Sequence, residues 1–236
     1  MIKKILLTFA GVVLIALIGF AGFAWWSLQP KVNPLTLPDG LIAVSGSIGE
    51  GLLQDADAKV DYALLSEHLE SQELISFCGV ASGVTVLNSL GRNLDQSTFF
   101  DVDAAGLKSR FAVTFSGMTL AEFADFLAAH NSIVDVNHAD AIAVDEFRKI
   151  VRENLQEPDN FILVNYQREV LGQRRVGHIS PIAAYDEESD LVLILDTASY
   201  NYPPTWVPLA QLHSAMATID SASGKARGFV EVSNFR

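Results

Sequence analysis

A single cysteine, Cys78, stands among 236 residues, and no cysteine–histidine pairs occur at zinc-ligand spacing. The count excludes an intramolecular disulfide, and the spacing argues against a structural zinc. Basic residues are also scarce: Lys+Arg 16 against Asp+Glu 28, a net charge of -12. Such a balance disfavours nucleic acid or an anionic membrane surface as a partner. No G-x-S-x-G turn is present to carry a serine nucleophile. The glycines at 46, 49 and 51 lack a following P-loop lysine, so they read as a simple turn after a short strand. Internal repeats and low-complexity stretches are absent as well.

What is present begins with an apolar run. After Lys3 and Lys4, residues from Ile5 to Trp26 carry no charge. About 20 such residues span a bilayer as a helix, whereas a secretory h-region is about 7–15 long. The expectation is a transmembrane anchor or signal segment over 1–26, with the lysines cytoplasmic and Trp25 and Trp26 at the far interface. No clean A-x-A cleavage site supports the signal. Either form exports the remainder of the chain, a proline-rich linker over 27–40 and one domain over 41–236.

Within that domain, "TLAEFADFLAAH" opens with Thr119 and Glu122 at capping-box spacing, and "VDEFRKIVRENL" repeats an amphipathic pattern. From Phe161 onward, "FILVNY", "GHISPIAAY", "DLVLILD" and "RGFVEVS" read as strands. Helices followed by an antiparallel sheet make an α+β layout.

Cys78 stands at the start of the helix "CGVASGVTVLNSL". A lone cysteine packs well as a small hydrophobe. A helix N-terminus also favours the thiolate, which is the nucleophilic form, and Gly79 leaves room for approach to the sulfur. A nucleophile needs a base. His68, His130, His138 and His213 fall in or beside helical patterns in polar surroundings and read as solvated. His178 opens a strand whose hairpin turns near 187–188, and register then places it opposite Asp196. Cysteine, histidine and orienting aspartate form the triad arrangement. Gln72, six residues before Cys78, is suited to donate an oxyanion hydrogen bond.

The ordered blocks "Q-x4-F-C-G-V-A-S", "F-x-x-V-N-Y-x-R", "G-H-I-S-P-I-A-A-Y" and "L-I-L-D-T-A-x-Y-x-Y-P-P-x-W-V" resemble the catalytic domain of phytochelatin synthases, especially the short bacterial members. The resemblance covers roughly residues 41–233. It implies a papain-like cysteine peptidase fold, in which an N-terminal helical part packs on a C-terminal antiparallel sheet. It implies a Cys–His–Asp triad at Cys78, His178 and Asp196, with Gln72 as the oxyanion residue. It implies too that γ-Glu-Cys from glutathione is held as a thioester while glycine leaves, with Asp220 and Arg227 recognising the glutamyl part. A carboxylate suits the α-amino group, and a guanidinium fork suits the α-carboxylate. No cofactor is required for that step, and heavy-metal ions such as cadmium enter only as metal–thiolate co-substrates.

Plant-type members add a cysteine-rich C-terminal domain associated with metal response, and no second thiol is found here. Hydrolysis to γ-Glu-Cys and glycine is therefore expected ahead of phytochelatin synthesis. The segment "QELISF" also departs from the resemblance by lacking the polar residues usual in the family there. The expected partner is glutathione or a related thiol peptide, with membrane contact through the first helix and a homodimer admitted. The expected location is the bacterial inner membrane, single-pass, with the catalytic domain facing the periplasm, or the periplasm itself after cleavage. Rival readings are a leader-peptide type of papain-like peptidase and a non-catalytic anchored module binding glutathione or a metal–thiol complex.

Overall fold

Strands that alternate large apolar side chains between two faces need cover on both, and this chain supplies helices for each. The computed structural model describes residues 2–234, and the side chains of residues 2–10, 12 and 21 lie outside what it describes. The first half holds α1 (Ile2–Leu28), β1 (Ile42–Ala43), α2 (Ser47–Asp55), α3 (Tyr62–Glu67), α4 (Cys78–Ser89), α5 (Arg110–Ser116), α6 (Leu120–Ala129) and β2 (Ser132–His138). There follow α7 (Val144–Asn154), β3 (Asn160–Gln167), β4 (Gly177–Asp186), β5 (Leu191–Ile194), β6 (Thr205–Pro208), α8 (Leu209–Met216) and β7 (Gly228–Asn234).

The strands form one seven-stranded sheet in the order β1-β6-β5-β4-β3-β7-β2, and every pairing is antiparallel. Period-two alternation splits its side chains cleanly. Phe161 and Leu163 of β3 face one side with Ile179 of β4, where they meet Val80, Val84 and Leu87 of α4 and Phe123 and Leu127 of α6. Ile162 and Val164 face the other side, against Phe147 and Val151 of α7 and Leu212 and Met216 of α8. Each such fully buried side chain contributes about 1.5–3 kcal/mol relative to exposure. The sheet is thereby clamped between two helical layers, which holds β3 and β4 rigidly under α4.

The α+β layout with an antiparallel sheet is as expected, with local differences. Strand β2 lies among the helices in chain order and pairs with β7 over seven positions, so helices and strands are not fully segregated. Gly49 and Gly51 lie inside α2 rather than in a turn. A Cβ at Gly49 would stand 2.0 Å from the Ala43 carbonyl oxygen, so close packing of α2 on β1 demands glycine there. The capping box at Thr119 and Glu122 forms as its spacing predicts.

The N-terminal segment is a continuous helix, α1. Among the described residues no helix is long and apolar enough to cross a membrane, so the transmembrane segment expected from the sequence is not supported. The described side chains of α1 are interrupted at 12 and 21, and Lys3 and Lys4 lie outside the described side chains. The stretch after α1 is extended but not a free linker. Asn33 and Leu35 donate backbone hydrogen bonds to Tyr200 and Asn201 at 3.0 and 2.9 Å, which seats the strap against the domain.

Candidate active site

Helix α4 delivers Cys78 from its first residue, and nearly all of the helix is buried. Ser82 Oγ donates to the Ile179 carbonyl at 2.9 Å. That bond ties α4 to β4 one residue from His178, so two elements distant in sequence hold thiol and imidazole in fixed relation. Gly79 has a packing role that differs from the expected clearance. A Cβ there would lie 2.7 Å from Met118 Cε and 3.3 Å from Ile179 Cδ1, so the glycine lets the helix sit close to its neighbours.

Cys78 is partly buried and lines the same cavity as His178, whose imidazole is close enough to act on the thiol's ionisation. His178 Nε2 donates to Asp196 Oδ1 at 3.0 Å. The other ring nitrogen is left for the sulfur. The structure thus brings Cys78, His178 and Asp196 together, although the register argument that paired His178 with Asp196 needs correction. The hairpin pairs Asp186 with Leu191 and, beyond a bulge, Ile182 with Ile194. Extended further, that ladder would set Asp196 opposite Ser180 rather than His178. Asp196 lies past the end of β5 and meets His178 as a diagonal neighbour, which long side chains can bridge.

Asp196 Oδ1 has two further donors. Arg168 Nη2 approaches at 2.7 Å and the Ala198 backbone N–H at 2.8 Å. Arg168 is 2% exposed, donates from Nη1 to Gln173 Oε1 at 2.6 Å, and lies over the Tyr202 ring at 5.1 Å. Sequence reasoning assigned it nothing. It stands in the segment "NYQREV", and a basic residue just after a buried strand, beside a candidate triad carboxylate, was the available signal.

The electrostatics follow from these contacts. Burial disfavours the Asp196 carboxylate, but Arg168 and His178 outweigh it and hold its pKa well below the usual range. Burial and the Arg168 charge push His178 down, while Asp196 and the Cys78 sulfur raise it above the ordinary imidazole value. Burial likewise opposes ionisation of Cys78, yet the His178 hydrogen bond and charge bring its pKa below that of a free thiol. Both shifts favour a thiolate–imidazolium pair.

Gln72 is buried, with its backbone N–H donating to the Thr197 carbonyl at 2.9 Å. Its side-chain Nε2 donates to the Leu74 carbonyl at 3.0 Å and to Tyr200 Oη at 2.9 Å, and Oε1 has no partner. Tyr200, whose pKa is pushed up to about 12 by burial, was not singled out from the sequence. Asp220 and Arg227 face each other at 3.3 Å, and both line a cavity of about 370 Å³ that also contains Cys78 and His178. Arg227 Nε is buried without a partner. The expectation for the remaining histidines needs correcting. His130, His138 and His213 each bond a backbone carbonyl, of Phe99, Ala226 and Ile142, and His138 ends strand β2. Backbone carbonyls brought close by folding, invisible in local polarity, take up these rings. Among the described residues no group of three or more His, Cys, Asp or Glu side chains stands together to hold a metal ion.

A partly buried thiol, an imidazole and a buried carboxylate joined in that order are the parts of a cysteine-nucleophile site on an α+β scaffold. The phytochelatin synthase family model matches residues 32–229, and the chain belongs to that family. Curated relatives carry the name glutathione gamma-glutamylcysteinyltransferase. Protein 3 of Lotus japonicus is 31% identical, matching 88% of this chain and 43% of its own length. Protein 2 of Arabidopsis thaliana is 32% identical over 77% and 41%, and the Schizosaccharomyces pombe protein is 31% identical over 82% and 49%. The chain thus spans less than half the length of these relatives. Among solved structures, xylellain, a cysteine protease from Xylella fastidiosa, matches with TM-score 0.43 and 9% identity, covering 89% of this chain and 97% of that one. That likeness is too loose to carry an argument.

Proposed function

We propose that this domain is a thiol peptidase and γ-glutamylcysteine dipeptidyl transferase acting on glutathione, on a papain-like fold. The observation that carries the reading is the continuous array from Cys78 through His178 to Asp196, in a chain of this family. Cys78 Sγ attacks the carbonyl carbon of the Cys–Gly amide. The S–C bond forms, the C–N bond breaks, and the imidazolium of His178 hands its proton to the departing glycine amine. Water then hydrolyses the thioester, releasing γ-Glu-Cys and restoring the thiol. A second thiol peptide taking the place of water gives phytochelatin-type products, with heavy-metal ions acting as metal–thiolate co-substrates.

Asp196 orients His178 and supports its charge. The oxyanion is assigned to the Cys78 backbone N–H and Gln72. Because both amide hydrogens of Gln72 are engaged, the bond to Tyr200 must be exchanged for one to the substrate. Asp220 and Arg227 take the α-amino and α-carboxylate groups of the glutamyl end, for which the partnerless Arg227 Nε is a fitting donor. The domain's place is assigned to the periplasmic side of the inner membrane. Supporting this are the uncharged run from Ile5 to Trp26 and the exposure, between 41% and 73%, of the large apolar side chains described from Val13 to Trp26.

The test is mass spectrometry of the protein incubated with reduced glutathione, beside a Cys78→Ala control. Glycine and γ-Glu-Cys should appear only with the thiol present. Folded wild type that yields neither these nor longer products, with or without cadmium, would remove glutathione as substrate. Alkaline extraction of membranes from a bacterial expression host tests the location: recovery in the supernatant with an intact N-terminus would overturn attachment.

A further inference from the structure

A second cavity, of about 510 Å³, adjoins the site and differs from its neighbour in charge. Its walls include Lys31, Arg168, Arg174 and Arg175 and, among the described residues, neither aspartate nor glutamate. In a chain where acids outnumber bases 28 to 16, a wall with four cations and no acid is segregated charge. Arg168 is already held by Asp196. Lys31 Nζ lies 3.3 Å from the centre of the Trp26 ring. Arg175 makes an exposed 3.3 Å pair with Glu169, of a kind that contributes little. Arg174 makes no ion pair among the described residues.

Arg174 and Arg175 stand just before β4, a few residues from His178. The cavity shares Ile75, Val176, Gly177 and His178 with the one that contains Cys78, Asp220 and Arg227. A ligand reaching from one into the other passes His178.

We propose that this cationic cavity is a subsite for a peptide α-carboxylate on the leaving-group side of the scissile bond, with Arg174 and Arg175 supplying its charge. The inference rests on the peptidase reading above. A substrate whose glutamyl end lies between Asp220 and Arg227 directs its other end past His178, and in glutathione that end is the glycine carboxylate. After glycine departs, the same charge faces the carboxylate of an incoming acceptor peptide. Both are carboxylate-terminated peptides, and the experiment separates them.

Full-chain Cys78→Ala protein is titrated calorimetrically with glutathione and with its glycine amide, then compared with the same protein carrying Arg174→Gln and Arg175→Gln. Neutralisation should weaken glutathione binding about 5- to 10-fold and leave the amide unchanged. Equal binding of both ligands by both proteins, including no binding at all, overturns the proposal. With Cys78 intact, slowed glycine release in the neutralised protein assigns the cavity to the donor carboxylate. Unchanged glycine release with loss of longer products assigns it to the acceptor. If the intact protein releases no glycine while the titration keeps its charge dependence, the peptidase reading fails and the carboxylate subsite stands.

Discussion

Two arginine–aspartate pairs flank Cys78, and they are built for different ends. Arg168 and Asp196 meet at 2.7 Å with side chains 3% and 4% exposed, and the shared carboxylate oxygen takes three donors. Arg227 and Asp220 meet at 3.3 Å, 8% and 12% exposed, and leave a buried guanidinium nitrogen without a partner. The first pair is closed: three donors from the protein converge on Asp196 Oδ1, and the pair tunes the histidine. The second retains capacity on a cavity wall, as a ligand site requires.

The largest effect should come from opening the closed pair. Asp196→Asn leaves the Arg168 charge buried without its counter-ion, and breaking such a pair costs about 3–5 kcal/mol. It also removes the group that holds His178 in place, lowering turnover by about 10²–10⁴-fold. Chemical denaturation and glycine release measure the two losses separately, and wild-type stability in the variant would sink the view that the pair is closed. Arg168→Gln sharpens the same point. With the cation gone, His178 loses a repelling neighbour and its pKa rises further, so the alkaline limb of the rate profile moves up. A merely structural arginine would reduce the amplitude and leave the limb where it was.

The open pair should behave in the opposite way. Arg227→Gln and Asp220→Asn remove the proposed ligand contacts along with their own 3.3 Å pair, so KM for glutathione should rise by about 10-fold or more. Stability should change by less than in Asp196→Asn, because both side chains border a cavity. A KM unchanged by either substitution would take the glutamyl end elsewhere.

The two pairs also differ in how far they were legible beforehand. Asp220 and Arg227 entered only through family resemblance, since a charged pair in "TIDSASGKARGF" looks locally like a solvated turn. Cys78, His178 and Asp196 were legible from residue type, helix start and hairpin, although the bulge near Ile182 meant that strict register pointed elsewhere. Arg168 was missed for a physical reason: its partner is 28 residues away, and its place just after a buried strand, the one local signal, does not by itself name that partner. Strand β2 escaped notice because an edge strand paired on one side only shows a mixed pattern, with three of the seven residues of "SIVDVNH" exposed and one buried. The helices α6 and α7 were readable because capping and apolar period act within single turns.

The smallest expected change is a shift in pH, and it tests whether the closed pair acts on the thiol through the histidine. Iodoacetamide reacts with thiolate, so its rate follows ionisation of Cys78. In the native protein the Cys78 pKa lies below the ordinary thiol value, with burial opposed by the His178 contact. The alkylation rate should accordingly level off at a lower pH than for a free cysteine. In His178→Ala the compensating hydrogen bond and charge are lost while burial remains, so the midpoint should move above that of a free thiol. Asp196→Asn should fall between them, because His178 stays but its charged form loses support. A profile identical in all three proteins would mean that the thiol is tuned by its helix alone, and that the Arg168–Asp196 pair serves packing rather than chemistry.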